Sequence, residues 1–226
     1  MSYTFHFDSV WREWPLLLEG IQATLVFTLI SMVLGLVIAV SGAAILRFGP
    51  KWAKLPVTIY VEIFRNTPLV VQLFFIYFGL PSTGIAFTPD IAAMIGLTLN
   101  FGAYSVEIVR SGTLAVPKGL IEAAQMIGLN RVQTFAYVML RPALIVAFPA
   151  LSSQIIVLLL ATSVISIISA NELTAIAGSI QSRTFRSFEV YIFILAVYLG
   201  LSSLFKLALR LIYDRFIAVE PQRFRS

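Results

Sequence analysis

The feature that most constrains this chain is a run of 30 residues without a charged side chain, Pro142–Asn171. A second uncharged run, Gly20–Leu46, has 27 residues. A helix of 27 residues extends roughly 40 Å, whereas the hydrocarbon core of a bilayer is about 30 Å thick. Both runs are therefore long enough to cross a membrane with some tilt.

Composition argues against a soluble domain and against several kinds of site. Only 12% of the residues are charged and 59% are hydrophobic, whereas soluble domains carry about 25% charged residues. The chain has no cysteine, which excludes disulfides, iron–sulfur clusters and thiolate zinc sites. Its one histidine, His6, argues against a histidine metal site and against a Ser–His nucleophile.

The sequence predicts an all-α integral membrane protein with about five transmembrane helices. The predicted spans are 16–46, 55–80, 91–110, 140–168 and 190–213. Lysine and arginine concentrate in cytoplasmic loops. With the N-terminus outside and the C-terminus inside, only Arg12, Arg183 and Arg186 of the 16 basic residues fall outside, so this orientation is predicted.

The spans define a transmembrane domain, 16–216, between an extracytoplasmic tail, 1–15, and a cytoplasmic tail, 217–226. The longest inner segment, about 111–139, contains residues that typically begin and end a helix. Pro117 suits a helix start because its missing N–H costs nothing there. Gly128 suits a left-handed cap at the helix end.

Apolar residues of this inner helix recur at spacings of three and four and predict one face. They are Leu120, Ile121, Ala124 and Ile127. This face packs either against the protein's own helices or against a partner, and the residues alone leave both possibilities open.

Charged residues inside two predicted spans have the spacing of ion pairs within a helix. Glu62 precedes Arg65 by three residues, and Glu107 precedes Arg110 by three. Charges in a membrane are costly, so these side chains should pair and face the bundle. They serve either as structural salt bridges or as the lining of a translocation path.

Uncharged polar residues extend the candidate path. Gln72 lies seven residues after Arg65, on the same face of a continuous helix, and Asn100 and Tyr104 share a face with Glu107. Interhelical hydrogen bonding is an equal alternative for these side chains. Thr162 and Ser163 are also candidates, although such hydroxyls often bond to their own helix. Glycines 35, 42, 96, 102 and 200 are predicted to allow close helix contact.

Three sequence blocks resemble the polar amino-acid permeases of binding-protein-dependent ABC importers. E-A-A-Q-M-I-G, Glu122–Gly128, resembles the Glu-Ala-Ala, three residues, Gly loop of that family. F-R-N-T-P-L-V-V-Q-L-F-F-I-Y-F-G-L-P, Phe64–Pro81, resembles its second-span signature. A-Y-S-V-E-I-V-R-S-G, Ala103–Gly112, with the following V-P-K-G resembles its lead-in to the loop. The resemblance covers about 16–216.

The resemblance implies a coupling helix in which Glu122, Ala123, Ala124 and Gly128 transmit force from a cytoplasmic ATPase. It also implies the partners: ABC ATPase subunits, a second permease chain, the same or paralogous, an extracytoplasmic substrate-binding protein and membrane lipid. No nucleic acid is expected. The chain lacks a phosphate-binding loop ending in Gly-Lys-Ser/Thr, so ATP and Mg are expected on the ATPase. The chain is then a non-catalytic subunit, without a cofactor of its own, in a bacterial inner membrane.

Two departures from the family pattern bear on function. Leu140–Ala143 reads L-R-P-A where the family has Leu-Pro-Gln-Ala, and Ala161 stands where the family often has aspartate. The second departure leaves open a pathway-completing subunit that does not itself bind substrate. An ion-driven secondary transporter is a further alternative, but such folds have paired repeats and broken helices at corresponding positions, which the sequence does not show.

Overall fold

The structure is a computed structural model that describes residues 5–217, without the side chains of residues 9, 216 and 217. The ends of both predicted tails, including Arg223 and Arg225, lie outside the described residues. The described part of the chain is helical and contains no strand. Four of its helices are long and apolar enough to cross a membrane, or up to five if one broken pair is counted as a span.

Ten α-helices follow one another along the described chain. They are α1 (Asp8–Arg12), α2 (Trp14–Phe48), α3 (Lys51–Asn66), α4 (Leu69–Phe74), α5 (Pro89–Leu114), α6 (Lys118–Met126), α7 (Arg131–Gln133), α8 (Leu140–Ala161), α9 (Leu173–Thr184) and α10 (Ser187–Ile212). Wider π turns follow α4, α7 and α10, and 3₁₀ turns occupy Leu80–Thr83 and Thr162–Ile168. The first, third and fifth predicted spans are confirmed, and each is about one turn or more longer than predicted. The fourth is confirmed as α8 together with the 3₁₀ residues that follow it.

The second predicted span is broken into two helices, which are long and apolar enough to count as one span only when taken together. The chain leaves the helix at Thr67, whose backbone is extended (φ −121°, ψ 143°). Pro68 explains the break, because its ring disfavours the helical conformation of the preceding residue and it has no N–H to donate. A spacing of seven residues places two side chains on one face only in a continuous helix. The predicted shared face of Arg65 and Gln72 therefore no longer follows from their spacing.

Two further elements were not predicted. Thr162–Ile168 is a 3₁₀ helix that ends at Ser169 in the left-handed conformation (φ 61°), where a continuous α-helix was expected. Helix α9 fills the segment before the last span, to which the sequence analysis assigned no structure. Its signals are weak because its apolar residues are interrupted by Ser, Thr and Gly.

The chain divides into two compact units, each of which takes part of the long helices. The first unit comprises Met1–Ser31, Leu69–Leu97 and Ile156–Phe205. Its core gathers side chains from α1, α2, α9 and α10. They are Val10, Leu17, Leu173, Ala177, Ile180, Val190 and Ile194. A Cβ at Gly96 would lie 2.6 Å from Leu73 Cδ2, so this glycine allows α4 and α5 to touch.

The second unit comprises Met32–Pro68, Thr98–Ile155 and Lys206–Ser226. One cluster in it packs α2, α5 and α8 together through Ala39, Ala43, Val109, Ala147 and Leu151. Small residues permit the approach, since a Cβ at Gly42 would lie 2.7 Å from Val106 Cγ2. The predicted close contacts are confirmed at glycines 35, 42, 96 and 102, whereas Gly200 has open space around it and that prediction is wrong.

Candidate functional site

Helix α6, in the second unit, has the ends that the sequence predicted. Pro117 precedes its first residue, and Gly128 adopts φ 86° beyond its last turn. The Leu129 N–H donates to the Ala124 carbonyl (3.1 Å) and the Gly128 N–H to the Gln125 carbonyl (3.0 Å). These two bonds are a Schellman motif, which ends a helix in a left-handed residue. The cap predicted at Gly128 is confirmed.

The apolar residues of α6 divide between two environments. Ile121 and Ala124 are buried, and Ile121 belongs to a cluster with Val116, Met139 and Ala143 against which Phe48 packs. The predicted single face of four residues is wrong in part, because Leu120 and Ile127 are 47% and 78% exposed. The helix turns only two of its apolar side chains inward.

The exposed part of α6 is apolar where the helix ends. Met126 is 88% exposed and Ile127 is 78% exposed, and Val132, just after the cap, is 77% exposed. Glu122 and Ala123 are exposed beside them, whereas Ala124 is buried. We call Leu120, Met126, Ile127 and Val132 the α6 patch. Exposed apolar side chains that lie close together are typical of interaction surfaces.

A capping box holds the segment that follows. The Gln133 N–H donates to Asn130 Oδ1 (2.9 Å), and the Asn130 N–H donates to Gln133 Oε1 (2.9 Å). This reciprocal pair starts α7 immediately after the α6 cap. The pattern Asn-x-x-Gln was visible in the sequence and was missed. Both ends of the Gly128–Asn130 turn are thus held by hydrogen bonds, and these fix the path of the chain from α6 into α7.

A cavity of about 380 Å³ lies in the second unit, between the ends of α3 and α5. Its lining includes Leu46, Thr58, Glu62, Arg65, Glu107 and Arg110. We call it the charged pocket. The structure thus brings together the four charged residues that the sequence singled out in two predicted spans.

The two predicted ion pairs have different outcomes. Arg110 donates from Nε to Glu107 Oε2 (2.8 Å) and from a second nitrogen to Glu107 Oε1, so this pair is bidentate and the prediction is confirmed. Within residues 5–217, neither Glu62 nor Arg65 takes part in an ion pair, so the predicted pairing of these two residues is wrong. The Arg65 guanidinium instead lies over the ring of Tyr104, 5.6 Å from its centroid.

Tyr104 ties α5 to the end of α3. Its hydroxyl donates to the Arg65 carbonyl (3.2 Å), and Tyr60 likewise donates to the Leu99 carbonyl (2.7 Å). The Arg65 carbonyl lies in the last turn of α3, where no later helical N–H is available. Asn100 and Glu107 are half-buried, on the same helix as Tyr104.

The remaining polar candidates lie in the first unit. Gln72 is buried in α4. The Thr162 and Ser163 hydroxyls donate to the Leu159 and Leu160 carbonyls, each at 2.7 Å, so both bond to their own chain. Ser163 lines a cavity of about 390 Å³ whose walls are mainly apolar and whose other polar residues include Thr174 and Tyr198.

Sequence reasoning missed Glu172, whose side chain is fully buried at the start of α9. Its Oε1 accepts from the Ala175 N–H (2.9 Å) and its Oε2 from the Thr174 N–H (2.8 Å). The Tyr198 hydroxyl also donates to Oε2 (2.8 Å). The carboxylate therefore caps α9 and joins it to α10. The available signal was an acidic residue directly after the 30-residue uncharged run, where a new helix begins.

Burial raises the pKa of the Glu172 carboxyl above its ordinary value, although the bonds from Thr174, Tyr198 and Ala175 act in the opposite direction. Desolvation disfavours the charged form of a carboxyl group. The site therefore stabilises the protonated acid more than water does.

The sequence matches a family model described as "Binding-protein-dependent transport system inner membrane component" over residues 31–218. Among curated proteins, the octopine transport system permease protein OccM of Rhizobium radiobacter is 37% identical, covering 85% of this chain and 82% of that protein. The glutamine transport system permease protein GlnP of Escherichia coli is 34% identical, covering 91% and 95%. The L-cystine transport system permease protein TcyB of Bacillus subtilis is 34% identical, covering 91% and 89%.

Solved structures agree in fold. The structure is similar to that of an amino acid ABC transporter with histidines, with a TM-score of 0.84 and 35% identity, covering 94% of this chain and 100% of the other. It also resembles a chain of the MetNI methionine ABC transporter in an inward-facing conformation, with a TM-score of 0.76 and 26% identity, covering 90% and 97%.

Proposed function

The chain belongs to the inner membrane components of binding-protein-dependent transport systems and is a multi-pass permease subunit of an ABC importer. From this premise we propose how the subunit works and which solute it carries. Family membership favours the ATP-driven interpretation over the ion-driven one. The finer statements on substrate, partners and mechanism in the following paragraphs are our proposal.

The α6 patch carries the proposal. Leu120, Met126, Ile127 and Val132 are exposed on a short helix that is capped at its end. Apolar side chains gain about 25 cal/mol for each Å² removed from water, so a groove that covers them gains affinity without any change in the helix. We propose that an ABC ATPase subunit supplies this groove on the cytoplasmic side, and that Glu122 and Ala123 contact it at the rim.

In the proposed mechanism, α6 moves as one unit between two long helices, α5 and α8. ATP and Mg bind to the ATPase subunits, and their closure moves α6. The Schellman cap at Gly128 and the capping box at Asn130 pass this movement to α8, while the packing of Ile121 on Met139 and Ala143 passes it to the membrane helices. The chain itself breaks no bond and acts by changing which side of the pathway is open.

The solute is proposed to be a polar amino acid or a close relative. The similar proteins named above belong to octopine, glutamine and L-cystine transport systems. The complex would hold two permease chains, two ATPase subunits and an extracytoplasmic binding protein in a bacterial inner membrane. We place the N-terminus outside, on the distribution of basic residues.

Uptake by the reconstituted complex tests this function. The tagged chain is purified with its co-expressed partners and placed in proteoliposomes with the binding protein. It is then supplied in turn with each of the twenty common L-amino acids, L-cystine and octopine, all radiolabelled. We expect ATP-dependent uptake of one or a few polar amino acids. Absence of ATP-dependent uptake for all of these solutes, with an intact complex, would contradict the amino-acid assignment.

A second version, in which this chain completes the pathway without binding substrate, is favoured by one residue. Ala161 is the last residue of α8, where similar permeases often have aspartate. The composition of the purified complex distinguishes the versions. Two copies of this chain would require it to form the pathway alone, whereas one copy with a paralogue that carries the aspartate would assign substrate contact to the paralogue.

A further inference from the structure

Of the four charged residues that line the charged pocket, two form an ion pair with each other and two do not. Glu107 and Arg110 neutralise each other through a bidentate pair. Glu62 and Arg65 are left with one charge of each sign, neither of which forms an ion pair within the described residues. A charged side chain inside a membrane segment usually pairs or faces a water-filled cavity. Here both face the same cavity.

Arg65 is held in a position that leaves its donors available. The guanidinium carbon lies over the Tyr104 ring, 5.6 Å from the ring centroid, and the Tyr104 hydroxyl donates to the Arg65 carbonyl. A cation–π contact uses the positive charge of the guanidinium and occupies none of its N–H groups as hydrogen-bond donors. Those donors match a carboxylate, which they bind through two parallel bonds.

The cavity has the size and the location of a small-molecule site. Its volume of about 380 Å³ falls within the roughly 300–1,000 Å³ of ligand pockets. Glu107 lies seven residues before the end of α5, about 10 Å along the helix axis, and α6 begins shortly after that end. The pocket therefore lies at the α6 end of the second unit.

We propose that the charged pocket is a release-side binding site for the zwitterionic end of an α-amino acid. Arg65 binds the α-carboxylate and Glu62 accepts hydrogen bonds from the α-ammonium group, while the Glu107–Arg110 pair forms a fixed wall. The inference rests on the proposed function, because it takes α6 as cytoplasmic and the solute as an amino acid. Arg65 and Glu62 bind the α-carboxylate and α-ammonium groups that all amino acids share. The pocket is therefore not expected to select between amino-acid side chains.

Binding to the purified complex, without nucleotide and without the binding protein, tests the assignment. The probe is an equimolar mixture of the twenty common radiolabelled L-amino acids. We expect Arg65→Gln and Glu62→Gln to weaken binding at least tenfold, and Lys51→Gln, which removes a charge from the first turn of the same helix outside the pocket, to leave it unchanged. Unchanged binding in both pocket variants would overturn the proposal.

A second measurement leaves all four charged residues in place. Because the chain has no cysteine, Thr58→Cys places a single thiol in the pocket lining. As a control, Ser179→Cys places one at an exposed position of α9. We expect the amino-acid mixture to slow modification of Cys at position 58 by a methanethiosulfonate reagent severalfold, and to leave position 179 unaffected. Amines lacking the carboxylate, at the same concentration, should not protect.

The two proposals fail in different ways. ATP-dependent uptake by the wild-type complex, together with absence of protection at position 58, would overturn the pocket assignment and leave the importer function standing. Protection by decarboxylated amines equal to that by amino acids would also overturn it, since Arg65 would then have no role in recognition. Absence of uptake for all amino acids would overturn the proposed function itself.

Discussion

Two short helices that lie between the long spans, α6 and α9, are built in opposite ways. Helix α6 ends in a glycine cap and leaves Met126 and Ile127 exposed. Helix α9 begins at a buried carboxylate and buries Leu173, Ala177 and Ile180 in the core of its own unit. The difference separates a helix with exposed apolar side chains, which we propose bind a partner, from a helix that packs its apolar side chains within its own unit.

The largest expected effect on transport lies in the α6 patch. Ile127→Asp places a charge in the surface that the ATPase is proposed to cover, and burying an unpaired charge is strongly unfavourable. We expect ATP-dependent uptake to fall about 100-fold or more, which corresponds to about 2.7 kcal/mol of lost coupling or docking. The matched change on the exposed face of α9, Ser179→Asp, should retain uptake. An equal loss of uptake in both variants would contradict the proposal that α6, and not α9, docks on the ATPase.

The next effect concerns α9 and is a loss of stability. Glu172→Ala leaves the Thr174 and Ala175 N–H groups and the Tyr198 hydroxyl without their shared acceptor. We expect the folded state to lose about 2–4 kcal/mol, since each buried unsatisfied group costs about 1–3 kcal/mol and caps about 0.5–2 kcal/mol. A fall in Tm in detergent measures this loss, and Glu122→Ala, on exposed α6, should leave Tm unchanged.

A smaller effect is expected at the α6 cap. Gly128 has φ 86°, and a left-handed conformation costs an L-residue about 1–2 kcal/mol, more for a β-branched one. Gly128→Val should therefore lower coupled uptake while membrane insertion is retained. Gly119→Val, within α6 and with open space around it, is the control of equal size. If both variants transported equally well, the left-handed cap would have no role in coupling.

The smallest predicted effect is a pH dependence of stability that arises in α9. Because burial raises the pKa of Glu172, folding favours its protonated form. The stability that this form contributes is present below the ordinary value of 4.5 and is lost as the pH rises through the folded-state pKa. We expect the Tm of Glu172→Gln to vary less over this window than that of wild type. If the wild-type Tm rose with pH over this window and the Tm of Glu172→Gln did not, the predicted direction of the pH dependence would be wrong.

Sequence patterns located the long spans and the α6 cap because both have local causes. Uncharged length determines where a helix can cross a membrane, and a glycine beyond an apolar helix is the usual C-terminal cap. The family resemblance carried by Glu122–Gly128 then led to the importer function, which the comparisons show.

The failures come from long-range contacts and from one overlooked local signal. The Glu62–Arg65 pair was predicted from local spacing alone. That spacing does not reveal Tyr104, which is 39 residues from Arg65 in sequence and contacts its guanidinium. Glu172 was overlooked because its role depends on Tyr198, 26 residues further along. The break at Thr67 was readable from Pro68, but the apolar character on both sides suggested one helix.

Co-purification from the native host tests the central claim, that α6 is the docking element of a separate ATPase. Tagged wild type, Glu122→Arg and the α9 control Ser179→Arg are extracted in mild detergent, and the partners are identified by mass spectrometry. The account predicts an ATPase subunit with wild type and with Ser179→Arg, and its loss with Glu122→Arg. An intact, folded wild-type chain that recovers no ATPase, or a Glu122→Arg variant that retains it fully, would contradict the account.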